Sequence, residues 1–276
     1  MNQKKVSLII SPRDRYTGLS ECIDNVYEYT DESLFDLIIL DLGYPKKELE
    51  LAQSRIANKN NARIVKLERM IPLAGIDKIR GELTTPFTFL LDNDSRVSQG
   101  WLPPLIETGE AKDAAVISPL TLEKDGADGD YTRNHIYTVE IRTVAVEGKT
   151  YLIEHKPYRR ELPENMPNKT VPSQAFELHG VMFNTKALQN IELPHMTIRE
   201  HLDIGMQLKA KGEKIFAEPR SVIYFDNLGT RAQLADLKYF DLRWNKEIGK
   251  ESHDLFEKRW GYKWYAEESV YFWCVR

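Results

Sequence analysis

Five short apolar runs alternate with amphipathic stretches over the first 118 residues, and this alternation restricts the fold more than any other feature. Val6–Ile10, Phe35–Leu40, Arg63–Leu67, Phe87–Leu91 and Ala114–Ile117 are each of strand length. Between the first of them, Leu19, Cys22, Ile23 and Val26 follow the i, i+3, i+4, i+7 spacing of a helix, and Leu49, Ala52 and Ile56 nearly do so. The strand runs are mainly apolar rather than half-polar, as expected of strands buried on both faces. That predicts an α/β fold with a mainly parallel central sheet and helices on both sides. Ligands of such sheets bind beyond the C-terminal ends of the strands.

The pattern changes after residue 120. Ile136–Val146 and Thr150–Glu154 read as strands joined through Glu147-Gly148-Lys149, a β-hairpin, and Pro163, Pro167 and Pro172 punctuate the loop that follows. Glu177–Phe183 and Ser221–Phe225 read as further strands, with a helix over Arg199–Lys211 between them. From Thr230 onward the chain is helical and aromatic, with Tyr239, Phe240, Trp244, Phe256 and Trp260. No repeat or linker divides the sequence, so one domain with a helical tail is expected.

With 42% hydrophobic residues the 276-residue chain can build a sizeable core. Its net charge of −4 argues against a nucleic-acid partner, which basic residues would have to attract. Cys22 and Cys274 stand at opposite ends, which supports neither a disulfide framework nor a cysteine metal site. No apolar run reaches the ~18 residues of a transmembrane helix. These features predict a cytoplasmic protein; the aromatic tail (Tyr262, Trp264, Tyr265, Tyr271, Phe272 and Trp273) could pack on the domain, pair with another subunit or contact a membrane peripherally.

Phe87–Leu91 runs into Asp92-Asn93-Asp94. Two carboxylates one residue apart at a strand end can hold a divalent cation, which in turn holds substrate phosphates. A second Asp-x-Asp, Asp128-Gly129-Asp130, reads as a turn in a Gly-rich loop. Gly148-Lys149-Thr150 lacks the first glycine of a phosphate loop, since position 143 is Thr, and reads as the hairpin turn. On the helix near Glu200-His201-Leu202-Asp203, Glu200, Asp203, Gln207 and Lys211 share one stripe flanked by apolar residues. Two readings fit that stripe: carboxylates facing a cleft as general bases, or acids favouring the helix N-terminus.

In this order, these residues resemble family 2 glycosyltransferases of the A-type fold. Val6–Arg15 is similar to the family's opening strand and loop, and Phe35–Asp41 to its second strand with a terminal Asp. Phe89–Asp94 followed by Gly100-Trp101-Leu102 resembles the metal-binding segment and the helix beyond it. His179–Phe183 falls where an acceptor-side strand with Gly180 is expected. Glu200–Gly212 and Ala217–Tyr224 resemble the family's acidic helix and the strand after it. The resemblance covers residues 4–226 and implies a transferase domain over 1–226, with 121–175 as an acceptor-side insertion and 227–276 as a packed helical tail.

It also implies an activity: transfer of a sugar, with inversion, from a nucleotide-diphosphate-sugar donor to a carbohydrate or other hydroxyl acceptor. Mn or Mg would sit at Asp92 and Asp94. Ser11, Arg13, Arg15, Asp41 and Asn93 would lie near the nucleotide, His179 and Gly180 on the acceptor side, and Glu200, His201 or Asp203 would take the acceptor proton. His201 stands where the family has its usual Asp base, Leu42 replaces a second Asp, and Phe225 stands where many members have a metal-binding His. Glu-His-x-Asp, Glu177-Leu178-His179 and Leu242-Arg243-Trp244 resemble a subgroup with this pattern. A catalytically degenerate binding or scaffold protein is the alternative that these departures raise. A nucleotidyltransferase would need a glycine-rich loop after the first strand, and Ser11–Arg15 has none.

Overall fold

The computed structural model describes residues 4–123, 135–159, 161, 166–225 and 233–264. Asp125–Asp130, Pro163, Thr230, Cys274 and the tail aromatics from Tyr265 onward lie outside the described residues.

The five apolar runs form strands. β1 (Val6–Ser11), β2 (Phe35–Asp41), β3 (Ala62–Lys66) and β4 (Phe87–Asp92) lie in the order β3-β2-β1-β4, all parallel. Every residue of β1 and of β4 is buried, which is why neither reads as an apolar–polar alternation. Instead, successive residues serve opposite cores. Leu8, Ile10, Leu37, Ile39, Phe89 and Leu91 face one cluster, completed by α1 (Leu19–Tyr29), α2 (Lys46–Ile56) and α4 (Leu102–Lys112). Ile9, Ile38, Leu40 and Leu90 face the other, under α3 (Pro72–Ile79), α5 (Thr185–Asn190) and α6 (Glu200–Ala210). Each such fully buried side chain contributes roughly 1.5–3 kcal/mol.

The chain moves from β1 through β2 to β3 on one side, then crosses back so that β4 pairs with the other edge of β1. This reversal is a topological switch point, and it opens a crevice at the C-terminal ends of β1 and β4. Beyond β4 the sheet becomes mixed. β11 (Gly180–Asn184) runs antiparallel to both β4 and β6 (Val116–Glu123), and β6 pairs in parallel with β12 (Ile215–Phe225). The short strand β5 (Ser95–Val97) pairs with the end of β12, β7 (His135–Ile136) with β6, and β10 (Val171–Ser173) with the start of β12. The strand expected from Ser221 begins earlier, at Ile215. Its register shifts between Glu218 and Val222, around Pro219, which cannot donate to a ladder. Residues 177–179, expected to be strand, instead form the approach to Gly180.

The hairpin is β8 (Glu140–Val146) and β9 (Lys149–His155), turning at Glu147 and Gly148 with φ of 50° and 76°. Such a pair of positive φ values matches the twist of the two strands. The C-terminal segment forms α7 (Leu237–Arg243) and α8 (Lys246–Trp260), and β13 (Lys263–Trp264) adds to the free edge of β9. Phe256 of α8 joins Leu152, Ala175, Met196 and Leu202 in a third apolar cluster, which ties the hairpin to α6. Among the described residues no helix is long and apolar enough to cross a membrane.

Candidate active site

The crevice at the switch point is walled by the loop after β1 and by the end of β4. Asn93, wholly buried, shapes that loop. Its Oδ1 accepts from the Arg13 amide at 3.4 Å, and its Nδ2 donates to the Arg15 and Tyr16 carbonyls at 2.9 and 3.1 Å. The loop enters α1 through Gly18 at φ 101°, where a Cβ would come within 3.2 Å of the Asn93 carbonyl oxygen. Glycine is required there both by conformation and by space.

Three carboxylates crowd this place: Asp14 on the loop, and Asp92 and Asp94 on either side of Asn93, all buried. Asp92 Oδ2 faces His179 Nδ1 at 3.0 Å, and Asp94 Oδ2 faces Arg15 Nε at 3.3 Å. Asp94 Oδ1 is buried with no hydrogen-bond partner among the described residues. Burial, reinforced by the charges of Asp14 and Asp92, pushes the Asp94 carboxyl up to about 8. Burial also raises Asp92, against the pull of His179 and Arg13. Arg15 and His179 each approach one oxygen of the pair, and the remaining Asp94 Oδ1 is a hard donor of the kind Mg²⁺ and Mn²⁺ prefer. These residues fit a divalent cation.

His179 is fixed from two sides. Phe225, at the end of β12, stacks on its ring with centroids 3.6 Å apart and planes 17° apart. Burial opposes charging of the imidazole, but the hydrogen bond to Asp92, helped by Glu177, holds its pKa above the ordinary value. The aromatic at position 225 thus acts on the site through His179.

A second charged group continues from His179. Lys156 Nζ contacts Glu177 and lies 3.3 Å from Glu154 Oε1. Glu154 Oε1 also faces His201 Nε2 at 3.3 Å, while its Oε2 accepts from Arg199 at 2.5 Å. Burial would raise Glu154, but His201, Lys156 and Arg199 hold it well below the usual carboxylate range. Glu177 is lowered in the same way, chiefly by Lys156 against its burial. Glu154, Glu177 and His201 offer ligand atoms within 4.8 Å of one another, a spacing that could hold a metal ion. Lys156 already sits on both carboxylates of that cluster, whereas Asp94 Oδ1 has no hydrogen-bond partner among the described residues.

Chain comparisons bear directly on this geometry. The model of the family described as glycosyl transferase family 2 matches residues 7–183, which span the loop after β1, Asp92–Asp94 and β11. The chain belongs to glycosyltransferase family 2. Solved structures share its fold, two of which hold a nucleotide or nucleotide-sugar and Mn²⁺. GalNAc-T7 with UDP, GalNAc and Mn²⁺ superposes with a TM-score of 0.59 at 13% identity, covering 99% of this chain and 56% of that one. The mannosyltransferase PcManGT from Pyrobaculum calidifontis, in complex with GDP-Man and Mn²⁺, gives 0.55 at 10% identity, covering 81% and 57%. The chain therefore spans just over half the length of either structure. No curated protein matches it in sequence.

Within this family member, the residues singled out in the sequence separate into two groups. Arg13, Arg15, Asp92, Asp94, His179, Glu200 and His201 converge. Glu200 is buried and pairs with Arg13; burial raises its pKa, but Arg13, with Arg243 and His201, brings it below the ordinary value. Asp203 does not join them. It is fully buried and accepts from Gln207 Nε2 and Arg259 at 2.7 Å each, and from Trp260 Nε1 at 2.9 Å. The helical stripe is thus divided: its first acid faces the loop after β1 and its second anchors α8. Asp41 Oδ1 caps its own turn, accepting from the Gly43 and Tyr44 amides at 3.0 and 2.9 Å. Ser11 is buried at the end of β1, and its carbonyl accepts from the Asn93 amide at 3.0 Å. Gly180 is closely packed: a Cβ there would lie 2.4 Å from Ile223 Cδ1, so that side chain would have to shift.

Sequence reasoning missed Asp14, Glu154 and Lys156, and marked Arg243 only as part of Leu242-Arg243-Trp244, without a place in the site. Arg243 Nε meets Asp14 Oδ1 at 3.1 Å and its guanidinium also donates to the Thr197 carbonyl. One signal for Glu154 and Lys156 was available: they stand two residues apart where β9 ends, the spacing that puts side chains on one face of an extended chain.

Proposed function

We propose that the chain transfers a sugar from a nucleotide-diphosphate-sugar donor to an acceptor hydroxyl, with inversion at the anomeric carbon and with help from Mn²⁺ or Mg²⁺. The observation that carries this reading is the buried Asp92/Asp94 pair at the switch point, with its raised carboxyl and unpartnered Asp94 oxygen. Asp92 and Asp94 would hold the cation, which supplies Lewis-acid stabilisation of the charge growing on the leaving diphosphate. Arg13 and Arg15 add positive charge on the same loop, and Ser11, Asp41 and Asn93 border the nucleotide. The hairpin within 121–175 and the His179–Gly180 turn shape the acceptor side, and α7 and α8, the described helices of 227–276, form a tail on the domain.

As the acceptor oxygen bonds to the anomeric carbon, the bond from that carbon to the diphosphate breaks and the hydroxyl proton must leave. Of the three candidates, His201 fits this task best. Asp203 is committed to three donors, and Glu200 is held ionised against Arg13. His201 turns Nε2 toward Glu154 and leaves Nδ1 without a hydrogen-bond partner among the described residues. An imidazole oriented by a carboxylate on one nitrogen can take a proton on the other.

The test is a sugar-transfer assay with His201→Gln and Glu200→Gln beside the wild type. His201→Gln should lower kcat by roughly 10²–10⁴-fold while leaving nucleotide binding intact. Full activity in His201→Gln, with loss in Glu200→Gln, would move the base to Glu200. A wild type that binds nucleotide yet consumes no donor would instead be a binding protein on a transferase fold.

A further inference from the structure

We propose that Asp236, in the short turn ahead of α7, is a positioning residue for the donor loop, setting from the C-terminal segment where Arg13 and Arg15 point. The proposal rests on the donor reading above for its functional consequence, but its geometry is independent of it.

Asp236 is almost completely buried, and its carboxylate is saturated by the loop. Oδ1 accepts from the main-chain amides of Tyr16 and Thr17, both at 2.9 Å. Oδ2 accepts from the Thr17 hydroxyl at 2.9 Å and from the Gln233 amide at 2.9 Å. One turn further on, Tyr239 donates its hydroxyl to the Pro12 carbonyl at 2.8 Å, and its ring packs against Tyr16 with centroids 4.9 Å apart. Asn93 grips the other side of the same residues through the Arg13 amide and the Arg15 and Tyr16 carbonyls. Residues 12–17 are therefore clamped between the end of β4 and α7. The two arginines that project from this segment reach Glu200 and Asp94.

Two adjacent amides and a hydroxyl converging ahead of a helix make a cradle for an anion, and here an internal carboxylate fills it. Without Asp236 the amides would lie buried and unsatisfied, so the loop would move to find water. That movement would displace Arg15 from Asp94 and Arg13 from Glu200 while leaving His201 on Glu154. Asp236 lies outside the region matched to the family.

Asp236→Ala, Asp236→Asn and Tyr239→Phe separate this role from a general structural one. In Asp236→Asn the amide oxygen can still accept from Tyr16 and Thr17 while its nitrogen donates to the Thr17 hydroxyl, and the bond given up is the one from the Gln233 amide in its own turn, not one to the loop. That variant should keep donor KM within about twofold of wild type, whereas Asp236→Ala should raise it by about tenfold or more, with acceptor KM and kcat within about threefold. Tyr239→Phe, which keeps the ring packed and frees only the Pro12 carbonyl, should raise donor KM by about threefold and decides the matter if Asp236→Ala does not fold. Hydrogen exchange gives a readout that needs no donor: the Tyr16 and Thr17 amides should lose protection in Asp236→Ala while β1 and the middle of α1 keep theirs. Unchanged exchange in Asp236→Ala, or unchanged donor KM in both Asp236→Ala and Tyr239→Phe, would overturn the proposal. So would a lower donor KM in Asp236→Ala, which would make the carboxylate a plug that donor must displace. If exchange responds as expected but the wild type binds no nucleotide, the clamp stands and the donor reading fails.

Discussion

Replacing Asp94 by Asn should stabilise the metal-free protein and at the same time abolish its response to metal. Burial and the neighbouring Asp14 and Asp92 hold the Asp94 carboxyl at about 8, against an ordinary value of 3.8. Below pH ~4 the folded and unfolded chains both carry this proton, and the group leaves stability unchanged. Between pH ~4 and ~8 the unfolded chain releases the proton while the folded chain retains it, so wild-type stability falls as pH rises. At neutral pH about three units separate solution pH from the unfolded value. At ~1.4 kcal/mol per unit the loss is ~4 kcal/mol. Asn resembles the protonated acid and carries no such cost. Thermal melts in chelator at pH 4, 6 and 7.5 should therefore show the variant gaining on the wild type with rising pH, by roughly 5–15 °C at the highest. Added Mn²⁺ should raise the wild type alone. A variant less stable than wild type in chelator at pH 7.5, or a difference that does not grow with pH, would refute the reasoning.

Two further substitutions test the assignments made from packing. Asp203→Asn should destabilise by about 3 kcal/mol, because it removes the buried charge facing Arg259 and turns an NH2 toward the Trp260 Nε1–H, yet should keep near wild-type kcat below its melting temperature; chemical denaturation and steady-state kinetics measure the two effects. Gly180→Ala should cost roughly 1–3 kcal/mol by forcing a methyl onto Ile223 Cδ1, and Ile223→Val, which removes that atom, should restore most of the loss in a double-mutant cycle.

The parallel half of the sheet was legible because strands buried on both faces leave an unmistakable trace: Val6–Ile10 and Phe87–Leu91 have no solvent side to break the run. Asp92 and Asp94 were legible from their place at the end of such a strand. The other half was not. The antiparallel insertion of β11 between β4 and β6 depends on long-range pairing that no local pattern encodes, and the early start of β12 is obscured by the irregularity at Pro219. A helical stripe gives the faces of α6 but not what packs against them, so Glu200 and Asp203 looked equivalent until α8, some fifty residues later, supplied Arg259 and Trp260. Asp236 is further still from its partners, at a separation of 219 and 220 residues from Thr17 and Tyr16. Phe225 looked like the loss of a ligand, whereas its stacking on His179 gives an aromatic at that position a use.

The most direct test of the donor site is a binding titration of UDP, GDP, CDP and dTDP, each with and without Mn²⁺, on the wild type and on Asp94→Ala. One nucleotide should bind, its binding should need the metal, and Asp94→Ala should remove it. Binding of no nucleotide by the folded wild type, or metal-dependent binding that survives in Asp94→Ala, would contradict the donor-site assignment.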